Sequence, residues 1–112
     1  MKPILVCGLN QLGIAVVRQL IAKGETARVL ALADEVESYS HELKRLGVSV
    51  CVGVASSAGE LEAAGLHDAS AVILTANDDA ENVDAALTAR RIRPGVPIVA
   101  RVFDASLGEY LE

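Results

Sequence analysis

The sequence feature that most restricts the fold is a short apolar run that enters a helix through two glycines. Residues Pro3 to Cys7 are apolar and long enough for one strand. The chain then reads Gly8-Leu9-Asn10-Gln11-Leu12-Gly13, and a helical apolar pattern continues to Ala22. Because a strand that turns sharply into a helix is the first half of a β-α-β unit, this segment predicts a parallel sheet covered by helices.

The alternation of strand and helix patterns continues along the chain. Apolar runs at about 28–33, 49–52, 71–75 and 96–102 predict four further strands. We predict helices at about 12–22, 34–46, 57–65 and 78–92, with Asp34 capping the second and Ser57 capping the third. The residues expected to share the apolar face of the first helix are Leu12, Ala15, Val16 and Leu20.

Five strands separated by helices imply parallel pairing with right-handed crossovers and helices on both faces. If the glycine turn marks the point where the strand order reverses, that order is 3-2-1-4-5. We therefore predict an α/β fold, a Rossmann-like three-layer domain with a parallel five-stranded sheet. A single domain is expected over residues 1–112, in which the last two residues, Leu111 and Glu112, are either native or vector-derived.

Composition and charge exclude several classes of protein. Aromatic residues make up 3% of the chain and apolar residues 52%, so the core must be aliphatic. The net charge is −5, with ten acidic and four basic residues in 57–112, which is not the basic footprint of a nucleic-acid-binding protein. No apolar run approaches the roughly 18–20 residues of a membrane helix, so we expect a cytoplasmic protein without direct membrane insertion.

Cysteine and histidine residues give no sign of a disulfide or a metal site. Cys7 and Cys51 are predicted on strands that have a third strand between them, which is too far apart for a disulfide, so two buried free thiols are expected. His41 and His67 stand alone and are expected at the surface without a ligand role.

The glycine turn has two possible meanings. In the pattern G-x-G-x-x-G the outer glycines permit the turn and the close packing of the helix, and the helix N-terminus attracts phosphate. Gly8 and Gly13 hold the outer positions, but Asn10 stands at the middle one, where a side chain crowds a dinucleotide. The turn therefore either binds phosphate or only connects the strand to the helix.

The end of the second strand is the other position that a dinucleotide site normally uses. An acidic residue there accepts hydrogen bonds from ribose hydroxyls. Ala33 takes that position by register, and Asp34 follows one residue later. We interpret Asp34 as a helix cap, although it remains a candidate for the ribose contact.

Over residues 3–104 the chain resembles the TrkA-N/RCK N-terminal domains, which are regulators of K⁺ conductance and transport. The resemblance is carried by 4–13, 50–56, 71–82 and 96–102, and the stretch Thr-x-x-Asp-Asp-x-x-Asn from Thr75 to Asn82 is its most specific part. It implies a cytosolic Rossmann-like domain that binds NAD(H) or an adenine nucleotide. It also implies a homodimer that transmits its ligand state to a membrane K⁺ channel or transporter subunit.

Carried over by position, the resemblance implies a cofactor site assembled from five parts of the chain. Its residues are Gly8, Leu9, Asn10, Gln11, Leu12 and Gly13 in the turn, Ala33 and Asp34 after the second strand, Val54 and Ala55 after the third, Thr75, Ala76 and Asn77 after the fourth, and Arg101 at the end of the fifth.

Four of these positions depart from the family pattern. Asn10 stands for glycine, Gln11 for arginine, and Ala33 and Val54 each stand for aspartate. Each lost charge-assisted hydrogen bond weakens binding by roughly 1.5–3 kcal/mol. We therefore predict a cleft altered from the usual NAD or adenine-nucleotide site, which binds nucleotide weakly, takes a different ligand or takes none.

Three functions follow from these observations. The first is a regulatory nucleotide-binding domain of a K⁺ channel or K⁺ transport system, and the second is a degenerate Rossmann domain that acts as a dimerisation module without nucleotide. The third, a small NAD-dependent oxidoreductase fragment, is disfavoured because hydride transfer needs a positioned acid or base. The chain has no Tyr-x-x-x-Lys dyad, since Lys44 is five residues after Tyr39. We predict no catalytic residues and no metal ligands.

Overall fold

The computed structural model describes residues 2–100 and contains a five-stranded parallel sheet. The strands are β1 (Ile4–Cys7), β2 (Ala27–Ala31), β3 (Ser49–Val52), β4 (Ala71–Leu74) and β5 (Ile98–Ala100). Their order is β3-β2-β1-β4-β5, which confirms the predicted topology. Arg101, the tail from Asp104, and Leu111 with Glu112 lie outside the described residues.

The helices lie on both faces of the sheet and confirm the three-layer arrangement. They are α1 (Gln11–Ala22), α2 (Ala33–Ser38), α3 (Ser40–Leu46), α4 (Ala58–Ala63) and α5 (Asp79–Ile92), with a 3₁₀ turn at Leu66–Asp68. One aliphatic core packs α4 and α5 against the sheet around Leu5, Leu30 and Val72. A second core packs α1 and α3 against the opposite face around Val6 and Val29. Among residues 2–100, no helix is long and apolar enough to cross a membrane.

The predicted apolar face of α1 is rotated about the helix axis from the observed one, although two of its four residues, Val16 and Leu20, pack against the core. The buried residues of this helix are Gly13, Ile14 and Val17. Leu12 and Ala15 are exposed, while Val16 and Leu20 are half-buried. Because apolar residues occur nearly all round α1, spacing alone did not determine which side faces the sheet.

The predicted second helix also differs from the structure. It begins at Ala33 with Leu32 as its N-cap, so Asp34 is not the cap but a first-turn residue. The Asp34 carboxylate accepts from the Glu35 N–H, and the Leu32 N–H donates to the Glu35 carboxylate. The helix then breaks at Tyr39, which ends α2 and precedes α3. Strand β2 is accordingly shorter than predicted.

Several local predictions are confirmed. Ser57 caps α4 through the Glu60 N–H, as predicted. The last helix begins at Asp79, and Asp78, which was predicted inside it, is its N-cap through the Ala80 N–H. Cys7 and Cys51 are free thiols, although Cys51 is only half-buried. The imidazoles of His41 and His67 are exposed, as expected.

Two arginines brace the amino-terminal edge of the sheet. The Arg28 guanidinium donates to the Ala64 carbonyl, and the Arg93 guanidinium donates to the carbonyls of Leu66 and Ala69. These carbonyls belong to the chain that leads from α4 into β4. The bonds therefore fix this connection to β2 and to the end of α5.

The close approach of α1 to the preceding turn depends on glycine. Gly8 has φ +104, a left-handed conformation that L side chains rarely adopt. A Cβ at Gly13 would lie 2.4 Å from the Gly8 carbonyl oxygen, which is far inside van der Waals contact. Both outer glycines thus have the structural roles that the sequence assigned to them.

We expect Gly13→Ala to lower the free energy of unfolding by about 1–3 kcal/mol, since the added methyl must push α1 away from the turn. Urea denaturation measures this change. Gly59→Ala is the matched control, because that glycine also lies in a helix but has nothing within 4 Å of an added Cβ. If both variants have the urea midpoint of the wild type, the close approach of Gly13 to the Gly8 carbonyl does not restrict how α1 packs on the turn.

Candidate functional site

An open cleft lies at the carboxyl edge of the sheet, where the loops after β1, β2, β3 and β4 converge. Its volume is about 100 Å³. Open parallel sheets bind ligands at this edge, beside the point where the strand order reverses. The wall residues come from strand ends, from the loops that follow them, and from α2 and α5. They are Cys7, Gly8, Leu30, Ala31, Leu32, Glu35, Gly53, Val54, Ala55, Ser56, Leu74, Ala76, Glu81, Asn82 and Ala85.

Thr75 fixes the glycine turn from the neighbouring strand. It is buried directly after β4, and its hydroxyl lies 2.8 Å from the Gly8 carbonyl oxygen and 3.2 Å from that of Cys7. The Thr75 N–H also donates to the Cys7 carbonyl. The end of β4 therefore holds the turn that leads from β1 into α1.

Asn10 connects the same two segments through its side chain. Its Oδ1 accepts from the Gly13 N–H at 2.9 Å, which caps α1. Its Nδ2 donates to the Thr75 carbonyl at 2.7 Å. We call these two hydrogen bonds the Asn10 bridge. In this bridge the Asn10 oxygen already accepts from the Gly13 N–H, which belongs to the helix N-terminus where a phosphate would accept hydrogen bonds.

The loops after β3 and β4 are also held by side chains that bind backbone. The Asn82 amide accepts from the Ala76 N–H at 3.1 Å and donates to the Ala76 carbonyl at 3.0 Å. The Glu60 carboxylate accepts from the Val54 N–H at 2.5 Å. The cleft walls are consequently shaped before any ligand enters, which reduces the entropy lost on binding.

The ionisable groups in the described cleft wall are Glu35, Glu81 and Cys7. Burial raises the pKa of the Cys7 thiol from 9.0 to about 12. The thiolate is the nucleophilic form, so this cysteine is unreactive at neutral pH. The arrangement favours binding over nucleophilic chemistry.

The structure brings only some of the sequence-predicted site residues to the cleft. Gly8, Val54, Ala55 and Ala76 line it. The other described candidates lie outside its wall: Leu9, Gly13 and Thr75 are buried, Asn10 is half-buried, and Gln11, Leu12, Ala33, Asp34 and Asn77 are exposed. Arg101 lies outside the described residues.

Sequence reasoning missed Glu35, Glu81 and Asn82 as wall residues. Glu35 follows Ala33 by two positions, and α2 turns its carboxylate back to the end of β2. An acidic residue within one turn of the expected ribose position was the signal available for it. Asn82 closes the Thr-x-x-Asp-Asp-x-x-Asn stretch, and its role depends on a loop geometry that the sequence does not reveal.

Comparison with known protein families gives one match. The model of the TrkA-N domain family matches residues 4–112. No curated protein sequence matches the chain significantly.

Solved structures share this fold at low sequence identity. The TrkA-N domain of the inner membrane protein ybaL from Escherichia coli superposes with a TM-score of 0.85 and 24% identity, over 98% of this chain and 79% of that one. The Shewanella denitrificans Kef CTD in AMP-bound form has a TM-score of 0.80 and 24% identity, over 98% of this chain and 65% of that one.

The GsuK channel bound to NAD has a TM-score of 0.78 and 24% identity, over 98% of this chain but 19% of the channel chain. This chain is therefore similar to one part of a much longer channel protein. At these identities the superpositions establish the fold alone.

We expect Asn10→Ala to lower the free energy of unfolding by about 1–3 kcal/mol, because it removes the cap of α1 and the bond to β4. Urea denaturation again measures the change. Gln11→Ala is the matched control, since Gln11 is the neighbouring exposed residue and should change stability by less than about 0.5 kcal/mol. Equal stability of the two variants would show that the Asn10 bridge is not formed.

A thiol reagent should modify Cys51 well before Cys7 in the native protein at pH 8, because Cys7 is 3% exposed and its thiol stays protonated. In urea both cysteines should react alike, which provides the control. The raised pKa also predicts that the contribution of Cys7 to stability is fully present below pH 9 and is lost as the pH rises from 9 towards 12, because the thiol ionises in the unfolded chain first. Peptide mass spectrometry follows the labelling, and equal native rates would contradict the burial of Cys7.

Proposed function

This chain belongs to the TrkA-N domain family, and we propose that it is a cytoplasmic regulatory domain of a K⁺ channel or K⁺ transport system. In this proposal the cleft senses an adenine nucleotide or dinucleotide with low affinity. The ligand state then changes the conformation presented to a membrane K⁺ channel or transporter subunit. The domain acts as a homodimer and not as an enzyme.

The observation that carries the proposal is the family match over residues 4–112 together with an open cleft at the carboxyl edge of the sheet. Related folds are bound to AMP in one case and to NAD in another, and the protein bound to NAD is a channel by its name. Their ligands share an adenosine monophosphate unit. This supports an adenine-containing ligand for the cleft in this chain.

The low affinity follows from the contacts that the chain lacks or redirects. Ala33 and Val54 supply no carboxylate at two positions where the family carries one, and the Asn10 bridge uses the Gly13 N–H internally. Two lost charge-assisted bonds, at roughly 1.5–3 kcal/mol each, correspond to more than a hundredfold in affinity. Part of this loss of affinity is offset in the proposal by Glu35, which lines the cleft and carries a carboxylate.

Deleting the gene from its host should change K⁺ flux if the chain regulates K⁺ transport. Uptake of Rb⁺ as a K⁺ tracer, measured over a range of external K⁺, should differ from the parent strain and return when the wild-type gene is restored. The matched control is restoration with Gly59→Ala, since an added Cβ at this exposed helical glycine has nothing within 4 Å.

Identical Rb⁺ uptake in the parent and deleted strains at every K⁺ concentration would contradict the regulatory role. If the purified chain then sediments as a dimer and binds no adenine nucleotide, the dimerisation module becomes the better description. The Asn10 bridge, which uses the Gly13 N–H at the N-terminus of α1 internally, is the observation that favours this second function.

A further inference from the structure

The charged side chains of the described cleft wall are acidic. Its described wall contains two carboxylates, Glu35 and Glu81, and within residues 2–100 it includes no lysine or arginine. The rest of the wall is mainly aliphatic, with Leu30, Leu74 and Ala85 among its buried members. Such a surface suits an uncharged flat ring better than a phosphate group, because desolvating an anion beside carboxylates is unfavourable.

The glycine turn offsets this repulsion less than a turn with an open Gly13 N–H would. Of the six turn residues from Gly8 to Gly13, only Gly8 reaches the cleft wall. The Asn10 bridge satisfies the Gly13 N–H and ties the turn to Thr75. A phosphate therefore meets a side-chain oxygen at the place where a glycine would leave an open N–H donor.

Glu35 is placed to recognise hydroxyl groups. Its Oε1 accepts from the Leu32 N–H at 3.0 Å, which fixes the carboxylate at the end of β2. Within the described part of the chain, that bond is the one its side chain makes, so Oε2 is available to accept from a ligand. A carboxylate in this position suits a donor such as a ribose diol and repels a phosphate.

We propose that this cleft recognises the nucleoside part of an adenine nucleotide and derives no favourable binding from the phosphates. The inference rests on the proposed function, since it takes the adenine class of ligand from there. The base lies against the aliphatic wall, Glu35 accepts from the ribose hydroxyls, and the phosphates remain in solvent. Affinity then does not rise with phosphate number, which sets the chain apart from a dinucleotide-binding domain.

Titration calorimetry with adenosine, AMP, ATP and NAD⁺ on the purified full chain tests how affinity changes with the number of phosphates. We expect adenosine to bind at least as tightly as AMP, and ATP to bind about threefold or more weakly than adenosine. Raising the salt concentration should narrow the difference between ATP and adenosine, because the repulsion by Glu35 and Glu81 is screened.

Two variants separate the effect of the Asn10 bridge from the effect of the Glu35 carboxylate. Asn10→Gly should improve NAD⁺ and ATP binding by about tenfold and leave adenosine binding nearly unchanged, and Gln11→Gly is its control. Glu35→Gln should weaken adenosine binding by about fivefold or more and also reduce the disadvantage of ATP. Circular dichroism at the titration temperature establishes that each variant is folded, and the Glu35 result stands even if Asn10→Gly unfolds.

The results distinguish the inference from the function on which it rests. Tighter binding of AMP or NAD⁺ than of adenosine by about tenfold would overturn the inference and leave the proposed nucleotide sensor intact. Unchanged adenosine affinity in Glu35→Gln would likewise overturn the recognition proposed for that residue. Absence of heat and of thermal stabilisation with all four ligands would overturn the proposed ligand class, and the inference with it.

Discussion

Helix α1 lies directly on the turn from which it emerges, and the shape of the carboxyl edge depends on that contact. Gly13 must approach the Gly8 carbonyl more closely than any side chain permits. Once α1 is in this position, the hydroxyl of Thr75 reaches the same carbonyl from β4. The central pair of strands, β1 and β4, is thus joined to the first helix at one compact point.

In the loops of the carboxyl edge, polar side chains supply hydrogen bonds to backbone groups that have no backbone partner. The Asn82 side chain accepts from the Ala76 N–H, and the Glu60 carboxylate accepts from the Val54 N–H. The Asn10 side chain accepts from the Gly13 N–H and donates to the Thr75 carbonyl. Such loops would otherwise carry unsatisfied amides near a cleft with aliphatic walls, and each amide would cost free energy there. The polar residues of the edge therefore maintain the cleft as well as border it.

The sequence predicted the sheet order and the number of layers, because apolar runs of strand length alternate with helical patterns throughout. It did not predict which side of α1 is buried, since an apolar helix has several equivalent faces and only the position of Gly13 against Gly8 selects one. Asp34 was mistaken for a cap because β2 ends earlier than its apolar run suggests. For the cleft, motif positions located the loops, but Glu35 and the Asn10 bridge depend on side-chain directions set by those loops.

The two edges of the sheet are held together by different kinds of side chain. At the amino edge, Arg28 and Arg93 clamp the connection before β4, and Gly65 leaves just enough space for the Arg28 guanidinium. Both arginines bind carbonyls of the main chain, so three backbone acceptors of this connection are satisfied by side chains and not by a neighbouring strand. Replacing either arginine would remove that donor, and the connection before β4 would then depend more on solvent for its hydrogen bonds.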